Sequence, residues 1–167
     1  MKHAIISFFL AWWAVSSLQA QTVYKPAGCS ASTGPNVSVI VLQHPESRYH
    51  LITVHWSSIE PSPGIFSFSG LQNMINTVKS YGKKYSLAIA SGGPGSPAWL
   101  IDNLNAPYVN YTFQGNTLRL PLFWDSIVQA RIQMMVNALG SQFANDTSLA
   151  LVYVTQMTAN GIEGHLN

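Results

Sequence analysis

Along the chain, short β-branched apolar runs alternate with segments whose apolar residues recur at helical spacing. Val37–Leu42 (Val-Ser-Val-Ile-Val-Leu) reads as a strand that Pro45 ends. His50–Trp56 reads as a second strand, closed by a polar turn and by Pro61 and Pro63. The period then changes. Leu71, Met74, Ile75 and Val78 make one apolar stripe, Ser69 and Gln72 have capping-box spacing, and Gly82 stands where a left-handed residue ends a helix. Tyr85–Ala90 is a strand of the buried type, leading into a glycine- and proline-rich loop, Gly92–Pro97. Trp99–Leu120 reads as irregular. A second helix is predicted from near Pro121 to about Phe143, with Trp124, Ile127, Val128, Met135 and Leu139 as its stripe and Arg131 near the edge. On that stripe Met134-Met135 is core filling rather than a metal or cofactor box. Leu149–Thr155 is the last strand.

Strands of continuous apolar character are covered on both faces. Their alternation with helices therefore predicts an α/β fold, a parallel sheet with crossover helices. One spacing does not fit. About seven residues separate Val37–Leu42 from His50, and a parallel crossover takes a dozen or more. Either a helix is missing, or Val37–Leu42 is not the first strand of the sheet.

The N-terminus changes the compartment rather than the fold. Met1-Lys2-His3, an apolar run from Ala4 to Val15 and the small-residue site Ser16–Ala20 have the order of an export signal. The run is shorter than the roughly 20 apolar residues of a membrane span. The expectation is a cleaved signal over residues 1–20, a secreted or periplasmic protein, and no membrane association afterwards. Residues 21–36 read as leader or linker, and 37–167 as the folded part. Charged residues make up only 8% of the chain and gather in no basic patch, so a nucleic-acid partner is not expected. The single cysteine, Cys29, has no internal disulfide partner. His3, His44, His50, His55 and His165 form no ligand pair at helical spacing, and no Gly-x-Ser-x-Gly elbow occurs. Neither a metal nor a cofactor is expected.

Parallel α/β sheets carry function in the loops after the strand C-termini. His55 and Trp56 close one strand, Gly92–Trp99 follow the next, and Gln156–His165 follow the last. The segment His55-Trp-Ser-Ser-Ile-Glu60-Pro-Ser-Pro-Gly64-Ile-Phe-Ser-Phe68 resembles the tryptophan, Glu-Pro, glycine, phenylalanine segment of retaining (β/α)8-barrel glycoside hydrolases, including β-galactosidase-like members. Leu71, Ile75, Gly82-Lys83-Lys84 and Ser96-Pro97-Ala98-Trp99-Leu100 continue in the order those enzymes show. The resemblance covers about residues 50–165. It implies a partial TIM barrel of about the first four βα units, an N-terminal half, and a carbohydrate substrate.

Sugar rings have apolar C–H faces and polar rims, which suits tryptophan platforms flanked by hydrogen-bonding groups. Trp56 and Trp99 are candidate platforms, and each can equally be packing. His55 can bond a sugar hydroxyl or satisfy a loop carbonyl. Gln156 and Asn160 are further candidate sugar contacts.

Glycosidic cleavage normally needs two carboxyl groups. The chain has six acidic residues, Glu46, Glu60, Asp102, Asp125, Asp146 and Glu163. Asp125 is placed near a helix N-terminus and Asp146 at the end of the barrel away from the site. By the resemblance, Glu60 shapes its loop, and Glu163, in the loop after the fourth strand, is the acid/base. Ile162 precedes Glu163, where the family usually has an asparagine. The nucleophile of such enzymes comes from the seventh strand, and a whole barrel takes roughly 250 residues. The expectation is an incomplete glycosidase, with a complementary C-terminal half as a candidate partner. The other reading is a non-catalytic carbohydrate-binding or structural half-barrel that pairs with another chain.

Overall fold

A computed structural model describes residues 28–34 and 36–153. The export signal and the candidate residues Gln156, Asn160 and Glu163 lie outside the described residues. Four strands form one parallel sheet in the order β1 (Cys29–Ser32), β2 (Ser47–His55), β3 (Lys84–Ala90), β6 (Leu149–Val152). Between β3 and β6 the chain forms an antiparallel hairpin, β4 (Tyr108–Phe113) and β5 (Asn116–Pro121). The helices are α1 (Val39–Gln43), α2 (Trp56–Ile59), α3 (Ser69–Ser80), α4 (Trp99–Asp102) and α5 (Ser126–Phe143). This is the expected α/β arrangement, with parallel strands and the helices interleaved between them.

The strand register sorts the side chains by face. Ile52 pairs with Leu87 and Val54 with Ile89, while Thr53 pairs with Ala88 and His55 with Ala90 on the opposite face. The bulky set joins Leu71, Ile75 and Val78 of α3 and Val128, Met135 and Phe143 of α5 in one core. Full burial of a residue such as Ile75 stabilises by about 1.5–3 kcal/mol. The opposite face carries the small residues Ser86, Ala88 and Ala90, all buried.

The α3 stripe is helical as predicted, and its C-terminus is a Schellman turn. Gly82 adopts φ +67, its N–H donates to the Lys79 carbonyl, and the Lys83 N–H donates to that of Val78. The capping box does not form. Phe68 holds the N-cap position without a side-chain hydrogen bond, which leaves Ser69 already inside the helix. The Gln72 amide instead donates to Asn76 Oδ1 at 3.0 Å.

Three other expectations are corrected. Val37–Leu42 is not a strand, since Val39–Gln43 is helical and forms part of the β1–β2 crossover, with Leu42 buried. The sheet instead begins at Cys29–Ser32, within the segment read as leader. That resolves the short spacing, because residues 33–46 are long enough to cross over. Trp99–Leu120 contains α4 and the hairpin, whose two-residue turn Gln114-Gly115 has φ of 52 and 78, as a type I′ turn requires. Finally, α5 starts at Ser126 because Pro121 closes β5 and Asp125 caps the helix, accepting from the N–H groups of Ile127 and Val128.

Candidate active site

The loops after β2 and β3 lie at the C-terminal edge of the sheet and are tied to each other. The Ser57 N–H donates to the Gly95 carbonyl at 2.9 Å. Gly95 has no room for a side chain, since a Cβ there would lie 2.2 Å from the Ala90 carbonyl oxygen. The β4–β5 hairpin closes over the same loop. A Cβ on Gly93 would meet the Tyr111 hydroxyl at 2.2 Å. Burial pushes the Tyr111 phenol above its ordinary pKa, against a hydrogen bond with the Gly93 backbone. Arg119 of β5 anchors the hairpin to α4 through two hydrogen bonds to Asp102, at 2.6 and 3.1 Å.

Glu60 organises the β2 loop. Its side chain is fully buried and accepts from Trp56 Nε1 at 2.8 Å and from the Gly64 N–H at 2.7 Å. The chain therefore folds back over its own carboxylate through Pro61 and Pro63, and Gly64 supplies the positive φ of the turn. Arg131, reaching in from α5, forms an ion pair with Glu60 Oε1. The Arg131 guanidinium also lies 5.1 Å from the centre of the Trp99 ring. Trp99 Nε1 donates to the Glu60 carbonyl at 3.0 Å, and the two indoles meet edge to face at 6.2 Å. Burial holds the Arg131 guanidinium below its ordinary pKa, while the carboxylate beside it favours the charged form.

This cluster reassigns both candidate sugar platforms. Trp56 has no exposed surface and Trp99 is 8% exposed, with both indole N–H groups spent on Glu60. Neither ring offers a face to a sugar in this arrangement. They pack the floor beneath the loops. His55, by contrast, is exposed at the end of β2. It lines a cavity of about 890 Å³ with Ser32, Thr53, Ser58, Ser67 and Tyr153. The wall is rich in hydroxyl groups on an apolar base, a chemistry suited to a neutral polyol ring.

The other described carboxylates are engaged elsewhere. Arg119 holds Asp102 below the usual carboxylate range, and Asp125 caps α5. Asp146 lies at the N-terminal end of the sheet, accepting from Lys79, Tyr85 and the Ser148 N–H. Glu46 immediately precedes β2 at that same end. Among the described residues no group of His, Cys, Asp and Glu is arranged to hold a metal ion.

Sequence reasoning missed the role of Arg131, which it placed only at the edge of a stripe. It also counted Trp124 in that stripe, whereas the ring is 66% exposed. The signal was available in Asp125, whose place as N-cap puts Trp124 outside the helix.

Solved structures share this fold. The beta-galactosidase from Rahnella sp. R3 aligns with a TM-score of 0.56 and 18% identity, over 77% of this chain and 19% of its own. The one from psychrophilic Marinomonas ef1 aligns at 0.55 and 19%, over 80% of this chain and 21% of its own. Gan42B, a beta-galactosidase from G. stearothermophilus, gives 0.54 and 21%, over 69% and 17%. At these identities the likeness is one of fold, and the chain spans about one fifth of the length of these structures. No curated protein sequence matches. The profile of glycoside hydrolase family 42, described as beta-galactosidase, matches residues 41–155, more than half of the sequence, and the chain belongs to that family.

Proposed function

We propose that this chain supplies the first four βα units of a glycoside hydrolase that cleaves O-glycosidic bonds of β-galactosides with two carboxyl groups. The observation that carries the reading is where the acids lie. Of the six, the five described are buried in an ion pair, salt-bridged, capping a helix or at the far end of the sheet. Glu163 is the one left for the strand-end loop, as the acid/base, with the nucleophile coming from a strand beyond the fourth. His55 and the hydroxyl-rich cavity beside it would hold the sugar, with Gln156 and Asn160 as further contacts. Residues 1–20 would direct export, which N-terminal sequencing of protein recovered outside the cytoplasm checks.

The test joins this chain to the remaining units of a family 42 enzyme and follows hydrolysis of nitrophenyl β-galactoside. Turnover is expected, with Glu163→Gln lowering kcat by about 10²–10⁴-fold, the usual contribution of a general acid. Undiminished turnover in that variant would remove the assignment.

The second reading, a non-catalytic half-barrel that pairs with another chain, shares one observation with the first. Leu151 and Val152 on β6 are exposed, beside an apolar groove of about 490 Å³ against Val136 and Leu139 of α5. A stable, soluble chain that binds galactosides and gives no turnover in the joined form would establish it.

A further inference from the structure

We infer that Phe123 and Trp124 form a second carbohydrate contact, a stacking platform for a neutral pyranose unit at the edge of the strand-end face. The inference rests on the carbohydrate reading above and adds a site that reading does not contain. Leu122–Asp125 is a tight turn in which the Asp125 N–H donates to the Leu122 carbonyl at 2.9 Å. Its two corner positions normally take Gly, Pro, Asn, Asp or Ser. Here they are Phe123 and Trp124, 42% and 66% exposed. The rings meet edge to face at 5.5 Å with an interplanar angle of 69°. One ring thus braces the other while a face of the indole stays open.

The turn is held from both sides. Pro121 is buried at the end of β5, the Leu122 N–H donates to the Pro107 carbonyl at 2.9 Å, and Asp125 is fixed as the N-cap of α5. A platform held this way loses little conformational freedom when a ligand stacks on it. Its position follows from topology. The far end of α5 lies near Asp146 and the start of β3, so its N-terminal turn lies on the side of the strand C-termini. The hairpin that leads into the turn sits over the loop after β3.

Charge and size select the occupant. Arg119 is bound to Asp102 and lies over the Tyr108 ring, Arg131 is bound to Glu60, and the Asp125 carboxylate accepts two helix N–H groups. These cations are committed, which disfavours an anionic sugar. Two rings also present far less surface than the roughly 800 Å² per partner of a stable protein interface. A pyranose, with an apolar C–H face about the size of an indole, matches the platform.

The test titrates the full chain with β-1,4-galactotetraose, reading affinity by titration calorimetry and protection by acrylamide quenching of tryptophan fluorescence, with a galacturonate oligomer as the anionic control. Trp56 and Trp99 are buried, and Trp12 and Trp13 are common to both proteins, so the difference in quenching between parent and Trp124→Ala reports the turn. Protection by the neutral saccharide is expected in the parent. Trp124→Ala should weaken binding about three- to tenfold, the range of one aromatic contact, while Trp124→Phe keeps most of it. An unchanged circular dichroism melt would show that Trp124→Ala is folded. No protection in the parent, equal binding in Trp124→Ala, or equal protection by the galacturonate would overturn the inference. A change in molar mass by light scattering in Trp124→Ala, without a change in saccharide affinity, would assign the turn to a protein contact instead. Hydrolysis does not enter these readouts, so loss of the Glu163 assignment and loss of this platform are separate results.

Discussion

The two ends of the parallel sheet each contain a carboxylate, and the two are treated in opposite ways. At the N-terminal end Asp146 keeps 16% of its side chain exposed and gathers Lys79 from α3, Tyr85 from β3 and the Ser148 N–H from its own turn. Burial works against its charge, but the Ser148 N–H and Lys79 prevail and hold its pKa below the ordinary value. Burial, with Asp146 beside it, pushes the Tyr85 phenol well up. At the C-terminal end Glu60 is wholly buried, neutralised by Arg131 and fixed by Trp56 and Gly64. The first is a tie between elements that water can partly replace. The second is an internal scaffold for two loops, and it leaves the strand-end face to residues that are not themselves structural.

The sharpest way to break the contrast is to remove the arginine. Arg131→Met strands the Glu60 charge in the core, and urea denaturation should show a loss of about 3–5 kcal/mol. A Glu60→Gln/Arg131→Met double variant should recover part of it. Equal losses in the single and double variants would show that packing, not charge, dominates there. Next is Gly95→Ala, whose Cβ would collide with the Ala90 carbonyl. It should destabilise by about 2–3 kcal/mol, the cost of overpacking. Gly140→Ala in α5 meets nothing within 4 Å and should stabilise by about 0.4–1 kcal/mol.

Asp146→Ala removes three donors' partner and should cost about 2 kcal/mol at neutral pH. Because the folded pKa is depressed, that contribution is present above the unfolded value near 4 and lost as pH falls through the folded value. The variant should therefore have a flatter acid unfolding curve. The smallest effect concerns His50, buried in β2 with Nε2 3.3 Å from Thr33 Oγ1 and its pKa lowered by burial. Below about pH 6.5 the unfolded chain takes up the proton more readily, so stability should fall as pH drops through that value. His50→Gln should remove the slope while leaving the Asp146 step in place.

Much of this architecture was readable from residue order, and the misreadings share a cause. α3, α5, β2 and β3 were legible because long periodic segments declare their own geometry. Val37–Leu42 was ambiguous, since a short apolar run fits a strand or one helical turn equally well. The strand that replaces it, Cys29–Ser32, is a mostly exposed edge strand and carries no apolar signature. The hairpin did leave a trace in Val109, Tyr111 and Phe113 facing Leu120, Leu118 and Asn116 across a Gln-Gly turn. At the site, the Glu60 loop role was legible through the resemblance of its Glu-Pro segment to that of barrel glycoside hydrolases. The fate of Trp56 and Trp99 was not, because residue type alone does not distinguish a buried tryptophan from an exposed one. Arg131 was hidden because its partner lies more than seventy positions away.

That spacing bears on the order of assembly. β2, α3 and β3 close over a short stretch of chain, whereas β6 must find β3 across the hairpin and all of α5. The entropy of the longer closure is only about 0.6 kcal/mol greater per doubling of length. The Arg131–Glu60 pair bridges that interval and becomes available only once α5 has docked. A chain leaving the ribosome N-terminus first therefore completes its strand-end loops late, after the three-strand unit beneath them has already condensed.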